Sequence, residues 1–160
     1  MLSGAAGQLY GSKYTDKFPS DWQSQLSTPG ALQFSYLQKL FGNRQWYNLV
    51  PDERHALVIA SEGRFESSGS IMKNEYVTAA ITPDRSLAAV YSPSPKPFIV
   101  NMARLGGTVT ARWWDPSAGA YSQINGSPFA NRGTHVFSPP GKNHDGDDDW
   151  VLILETTPVQ

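Results

Sequence analysis

The C-terminal two thirds of the chain alternate between apolar and polar residues, which is the pattern of half-buried β-strands. In the clearest strand, Val109, Ala111 and Trp113 fall on one face, while Arg112 and Trp114 fall on the other. The same period predicts strands over residues 56–60, 76–82, 87–91, 98–101, 135–137 and 150–155. Short strands separated by Pro, Gly and Ser predict a mainly β fold, an antiparallel β-sandwich of about eight strands.

A tight turn and the start of another strand follow Trp114. Asp115 can accept hydrogen bonds from the backbone of its own turn, and Pro116 has the φ angle that the second turn position needs. Gly119 can adopt the left-handed conformation that closes a bulged hairpin loop. These residues therefore predict a β-hairpin.

The two adjacent tryptophans of this hairpin cannot both lie in one core. We expect Trp113 to point inward, whereas Trp114 covers an edge, meets another domain or meets a ligand. Together with Tyr121, Trp114 is a candidate platform for a sugar ring, since large rigid side chains stack at low entropic cost. Packing inside the protein is the alternative for each of these rings.

One stretch near the N-terminus has helical spacing instead. Thr28 is suited to the N-cap and Pro29 to the first helical position, and Gly42 ends the helix. Between them, two sets of apolar residues recur three and four positions apart: Leu32, Tyr36 and Leu40, and Phe34, Leu37 and Phe41. The sequence thus predicts one α-helix ahead of the sandwich.

The segment before this helix is polar but carries four aromatic residues, which are Tyr10, Tyr14, Phe18 and Trp22. Loops of this kind often form the wall of a ligand site on a rigid scaffold. We therefore count both tyrosines and the tryptophan as candidate ligand-binding residues. The alternative is that these rings pack against the helix that follows.

Composition excludes several classes of function. The 160 residues include 13 basic and 14 acidic side chains, so no strong field attracts nucleic acid or an anionic membrane. There is no cysteine, which removes disulfides, thiolate metal sites and cysteine nucleophiles. Residues 1–7 lack a basic region and a long apolar stretch, and so predict neither a signal peptide nor a membrane span.

An acidic loop, residues 143–149, concentrates oxygen ligands of the type that calcium prefers. Asp145, Asp147 and Asp149 are the candidate metal ligands, although the spacing is not that of an EF-hand. In the alternative interpretation Asp149 caps the last strand and the other acids are solvated. Apart from calcium, nothing in the sequence calls for a cofactor.

Several blocks of residues 87–155 resemble the module labelled the putative collagen-binding domain of a collagenase. These blocks are Val90-Tyr91, residues 98–101, Trp114-Asp115-Pro116 with Gly119, residues 137–141 and residues 149–154. In that family the module follows an apiosidase-like glycoside hydrolase barrel, and residues 3–11 and 29–31 are similar to the end of such a barrel. The resemblance implies a barrel-terminal remnant over residues 1–52, an accessory module over residues 53–160, and a secreted or periplasmic location.

The resemblance also implies that the catalytic machinery lies elsewhere. A (β/α)8 barrel needs about 250 residues, and Glu53, Glu62, Glu66 and Glu75 lie in no motif of a catalytic pair. We expect a non-catalytic accessory module that supports a barrel or binds a polysaccharide. The alternatives are part of a split or truncated hydrolase whose aromatic loop lines a sugar subsite, and a protein-interaction module that binds a partner or its own copy.

Overall fold

The helical part of the chain lies at its N-terminal end. The computed structural model describes residues 1–7, 11, 17–65 and 74–156, and within these residues one α-helix is present, α1 (Pro29–Phe41). As predicted, Thr28 is the N-cap and Pro29 begins the helix, although the Thr28 side chain makes no capping hydrogen bond. Among the described residues, no helix is long and apolar enough to cross a membrane.

Nine strands follow α1 in the described residues. They are β1 (Val50–Pro51), β2 (Val58–Ala60), β3 (Thr78–Ile81), β4 (Leu87–Ser92), β5 (Phe98–Asn101), β6 (Val109–Asp115), β7 (Ala120–Gln123), β8 (Thr134–Phe137) and β9 (Trp150–Thr156). Six form an antiparallel sheet in the order β1-β3-β4-β9-β6-β7, and three form a second sheet in the order β2-β5-β8. The predicted antiparallel β-sandwich is confirmed.

The main core lies between these two sheets. Trp113 of β6 packs against Phe98 and Phe137 of the smaller sheet, with ring centroids 6.1 and 6.5 Å away. All three side chains are buried, and edge-to-face pairs of this kind add to the free energy of burial. Trp113 therefore holds the inward position that the alternation predicted.

A second core covers the outer face of the larger sheet. Helix α1 buries Leu40 and Phe41 against this face, where they join Trp114, Val151 and Ile153. Strands β4 and β9 are consequently buried on both sides. The molecule thus has three layers, with α1 on the outside and the six-stranded sheet in the middle.

Two local features depart from the sequence prediction. β1 was not predicted; it pairs with β3 at the edge of the sheet, where the missing N–H group of Pro51 is tolerated. β2 begins at Val58, because the carboxylate of Asp52 accepts the N–H groups of Ala56, Leu57 and Val58. β1 precedes the predicted module boundary at residue 53, which stays a prediction.

Candidate functional site

The hairpin between β6 and β7 is built as its sequence predicts. The Asp115 carboxylate accepts the backbone N–H groups of Ser117 and Ala118, at 2.8 and 3.0 Å. Gly119 has a φ of +63°. An added Cβ at Gly119 would lie 2.6 Å from Cδ1 of Tyr36 in α1, so the turn and the helix are in direct contact.

Helix α1 covers the ring of Trp114. Only 2% of Trp114 is exposed. The ring of Tyr121 lies 4.7 Å away in an edge-on arrangement, and Nζ of Lys39 lies 5.7 Å from the centroid of the indole. A buried indole offers no face to a sugar, so the sugar-platform prediction for Trp114 is corrected: the residue is part of the second core.

Tyr121, the other ring of the predicted platform, is half-buried at the edge of the same core. The guanidinium of Arg112 lies 4.3 Å from the ring centroid and that of Arg44 lies 5.7 Å away. Both arginines bind the carboxylate of Glu155. The ring of Tyr121 therefore contacts a charged cluster and Trp114, and the structure does not bring it together with Trp22.

The aromatic loop is described only in part, since Tyr10 and Tyr14 lie outside the described residues. Trp22 begins a short 3-10 helix, Trp22–Ser27, and is half-buried. Phe18 packs edge-on against it with a centroid separation of 5.1 Å, and 71% of Phe18 is exposed. The prediction that this loop binds a ligand therefore stays a prediction.

The acidic loop is organised by Asn143. Its side-chain oxygen accepts the N–H groups of Asp145 and Asp147, and its side-chain nitrogen donates to Asp149. The Asp145 carboxylate accepts a hydrogen bond from Gln33 of α1 at 2.7 Å. Within the described part of the chain, no group of three His, Cys, Asp or Glu residues is arranged to hold a metal ion. The predicted calcium ligands therefore do not form a site in this structure.

Asp149 belongs instead to a half-buried pair with Tyr91. The hydroxyl of Tyr91 donates to Asp149 at 3.3 Å. Burial raises the pKa of Asp149, and burial together with the nearby charge of Asp149 raises the pKa of Tyr91 to about 12. This agrees with the alternative that Asp149 has a structural role at the start of the last strand.

Apolar cavities lie along the flank of α1 and beneath it. One, of about 230 Å³, is lined by Met1, Phe34, Leu37, Phe41 and Trp46, and we call it the α1 groove. A neighbouring cavity of about 450 Å³ continues under the N-terminal residues towards the outer face of the larger sheet. The sequence analysis did not identify this site, although the two apolar sets on one helix were a signal that α1 is apolar on more than one side.

Large apolar side chains are also exposed in the part of the chain that carries the groove. Nine such residues are exposed in the described part of the chain, and six of them fall between residues 18 and 50: Phe18, Leu26, Leu32, Phe34, Tyr47 and Val50. The N-terminal third therefore presents far more apolar surface than the sandwich. Exposed apolar surface marks contact sites where it is contiguous, and Phe34 is the exposed apolar residue that borders the α1 groove.

Comparisons with known proteins identify the family of the sandwich. The model of a family described as "Putative collagen-binding domain of a collagenase" matches residues 66–155, which is more than half of the chain. The matched region contains β3 to β9 and therefore most of the sandwich. A comparison with curated protein sequences gave no match.

Two solved structures share the fold. A protein described as a glycoside hydrolase is 23% identical with a TM-score of 0.64, and the match covers 94% of this chain and 30% of that one. A glycoside hydrolase family 5 protein from Bacteroides vulgatus is 21% identical with a TM-score of 0.65, and the match covers 86% of this chain and 26% of that one. The chain spans less than a third of either hydrolase.

Proposed function

The chain belongs to the family described as the putative collagen-binding domain of a collagenase, and we propose that it acts as a non-catalytic accessory module of a glycoside hydrolase-like protein. The module docks through the α1 groove and its neighbouring apolar side chains onto a catalytic domain. The observation that carries this proposal is the exposed apolar surface of the N-terminal third.

The position of this surface supports docking by α1 rather than by the sandwich. Phe34 is 37% exposed and borders the groove that Leu37, Phe41 and Trp46 line. Burying such side chains is favourable in proportion to the apolar area removed from water. The fold is shared with hydrolases about three times longer, so a further domain is available in those proteins to cover the corresponding side.

The carboxylates support a non-catalytic role. Asp52 caps the start of β2, Asp115 closes the hairpin turn, Asp149 pairs with Tyr91 and Glu155 binds two arginines. Glycoside hydrolysis by the usual route needs two carboxyl groups facing each other across an open site. Each of these buried or half-buried acids instead has a structural partner.

Coexpression of this chain with the hydrolase domain encoded in frame or beside it tests the proposal. We expect the two to co-elute on size exclusion, and Phe34→Asp to abolish the complex because a charge would be buried at the interface. The matched control is Val136→Asp, since Val136 is an exposed apolar residue of β8, 56% exposed. Co-elution of the Phe34→Asp variant, or self-association of the chain with no binding to the hydrolase domain, would contradict docking by this surface.

A second role, binding of a polysaccharide by the aromatic loop, is favoured by the exposed ring of Phe18 on Trp22. The sequence prediction that Tyr10 and Tyr14 bind a ligand belongs to this second role. Trp22→Ala should then lose retention in affinity electrophoresis through a neutral polysaccharide while the melting temperature stays the same. Unchanged retention of the Trp22→Ala variant would contradict polysaccharide binding by this loop.

A further inference from the structure

A cleft of about 520 Å³ opens beside the edge of the larger sheet, away from the α1 groove. Three arginines line it, Arg54 and Arg85 from two turns and Arg104 from the end of a short 3-10 helix, Met102–Arg104. Their guanidinium groups have no hydrogen-bond or ion-pair partner among the described residues, and all three residues are exposed. By contrast, Arg44 and Arg112 are both paired with Glu155.

Backbone hydrogen bonds fix the positions of the segments that carry these arginines. Arg54 lies in a turn that His55 closes by donating its N–H to the Asp52 carbonyl, at 3.0 Å. Arg85 lies in the turn between β3 and β4, and its carbonyl accepts the N–H of Gly106 at 2.9 Å. That bond joins the Arg85 turn to the segment that carries Arg104, so the two residues line the same cleft.

The backbone at Arg85 and at the neighbouring Gly106 has an unusual geometry. Arg85 has a φ of +63°, which is unfavourable for a residue with a long side chain. A Cβ at Gly106 would lie 3.3 Å from the Asp84 carbonyl, so glycine allows the two loops to approach closely. Strained backbone conformations of this kind concentrate at binding sites.

The charge of the cleft is positive overall. Two acids line it besides the three arginines, Asp52 and Glu53. Both oxygens of Asp52 already accept backbone N–H groups. Asp84 lies next to the cleft, but its carboxylate accepts hydrogen bonds from Thr82 and Ser86. The lining residues thus have a surplus of one positive charge, and the guanidinium groups of the three arginines, unlike the carboxylates of Asp52 and Asp84, have no hydrogen-bond partner of their own among the described residues.

We propose that this cleft binds an acidic saccharide through its carboxylate or sulfate group. Guanidinium groups bind planar or tetrahedral oxyanions through paired N–H donors. The volume lies within the range of small-molecule sites, and Val50, Pro51, Ile81 and Pro83 provide apolar walls for a sugar ring. The cleft shares no lining residue with the α1 groove, so anion binding can be tested apart from docking at the groove.

Calorimetric titration with trigalacturonate and with its methyl ester tests the site, because the ester keeps the sugar and removes the negative charge. We expect binding of the acid, weakened by added salt, and none of the ester. Arg85→Asn should weaken binding about tenfold to a hundredfold, and asparagine tolerates the left-handed backbone. Arg104→Gln should have a similar effect.

Arg64→Gln is the matched control, since Arg64 is exposed, lies outside the cleft and carries the same charge. It should bind trigalacturonate like the wild type. A sulfated trisaccharide is the second anion to be tested. Binding of this trisaccharide without binding of trigalacturonate would assign the site to sulfate esters. Equal binding of the methyl ester, equal weakening by Arg64→Gln, or no binding of either anion would overturn the proposal.

Discussion

The guanidinium of Arg44 donates two hydrogen bonds to the carboxylate of Glu155, at 2.9 and 3.1 Å. Arg44 follows α1 and Glu155 lies near the end of β9, so this pair links the outer helical layer to the middle of the larger sheet. Arg112 of β6 donates to the same carboxylate. One acid thus holds together three segments that are far apart in the sequence.

Loss of this acid should destabilise the fold. Glu155→Gln leaves two half-buried guanidinium groups without a counter-charge, and we expect a loss of about 1–3 kcal/mol in the free energy of unfolding. Urea denaturation at pH 7 measures it. Asp148→Asn is the control, because Asp148 pairs with Lys142 on the exposed surface. Equal effects of the two substitutions would contradict a special role for Glu155.

The same acid should shape the pH dependence of stability. Burial alone would raise the pKa of Glu155, but hydrogen bonds and charges from Arg44 and Arg112 outweigh burial and lower it. Its contribution is therefore present above the pKa of the unfolded state and is lost as the pH falls through the lower folded pKa. Urea titrations at a series of acidic pH values should show a shallower decline for Glu155→Gln than for the wild type.

Substitution of Trp114 should lower the stability of the fold. Trp114→Ala removes a buried ring beneath α1, and we expect a cost of about 3–5 kcal/mol. Trp22→Ala should cost less than about 1 kcal/mol, since that ring is half-exposed. Thermal and urea unfolding of both variants provide the comparison. A stable Trp114→Ala protein would mean that α1 does not cover this residue in solution.

The contact between the hairpin and α1 can be isolated with two glycines. Gly119→Ala and Gly133→Ala both place alanine at nearly the same φ, +63° and +65°, but only the Cβ at position 119 meets Tyr36. We expect a loss of about 1 kcal/mol at Gly133 and about 2–4 kcal/mol at Gly119. Similar losses at both positions would indicate that α1 moves away at little cost.

Two aspartates should respond oppositely to neutralisation. Burial alone would raise the pKa of Asp115, but hydrogen bonds from Ser117, His144 and Ala118 outweigh burial and lower it. Asp115→Asn should therefore destabilise the protein at pH 7 by about 1–2 kcal/mol.

Asp149 has the opposite shift, because burial raises its pKa. A carboxyl with a raised folded pKa disfavours folding once the pH rises through that value. Asp149→Asn should therefore leave stability at pH 7 unchanged or raise it by up to about 1 kcal/mol. Urea titrations at pH 4 and pH 7 test both variants, and a large loss for Asp149→Asn would contradict this assignment.

Calcium should leave the melting temperature unchanged. The Asp145 carboxylate already accepts from Gln33 and that of Asp149 from Asn143, and no three acids of the described residues are grouped around one point, so a bound ion would first have to rearrange the loop. A ligand at 1,000 times its Kd would stabilise the fold by about 4 kcal/mol. Differential scanning fluorimetry with millimolar calcium, with magnesium as the control, distinguishes the two cases. A clear rise with calcium alone would restore the predicted metal site.

The two interpretations of Trp114 show where sequence reasoning stopped. Alternation along β6 placed Trp113 and Trp114 on opposite faces, and this is correct because side-chain direction in a strand is a local property. What covers Trp114 is a helix that ends more than 70 residues earlier in the chain. A pattern of neighbouring residues could therefore not predict the contact between α1 and Trp114.

The α1 groove and the arginine cleft differ in how much of each could be predicted from the sequence. The broad apolar character of α1 was visible in the spacing of Phe34, Leu37 and Phe41, but the side facing the sheet was not. The arginine cleft left no sequence signal, since Arg54, Arg85 and Arg104 belong to separate segments that are far apart in the chain. In the acidic loop, closeness in sequence did not place the three aspartates around one point: Asp145 accepts from Gln33, and Asp149 accepts from Asn143 and Tyr91.

The sequence by itself determined the elements: the start of α1 at Pro29, the alternation of the strands and the left-handed turn at Gly119. These follow from backbone sterics and from periods of 3.6 and 2 residues, which act over a few positions. Only the tertiary structure decided that Trp114 is buried, that α1 keeps an exposed apolar flank and that three arginines converge. Such facts depend on which distant surfaces meet, and that choice is made by the packing of the whole chain.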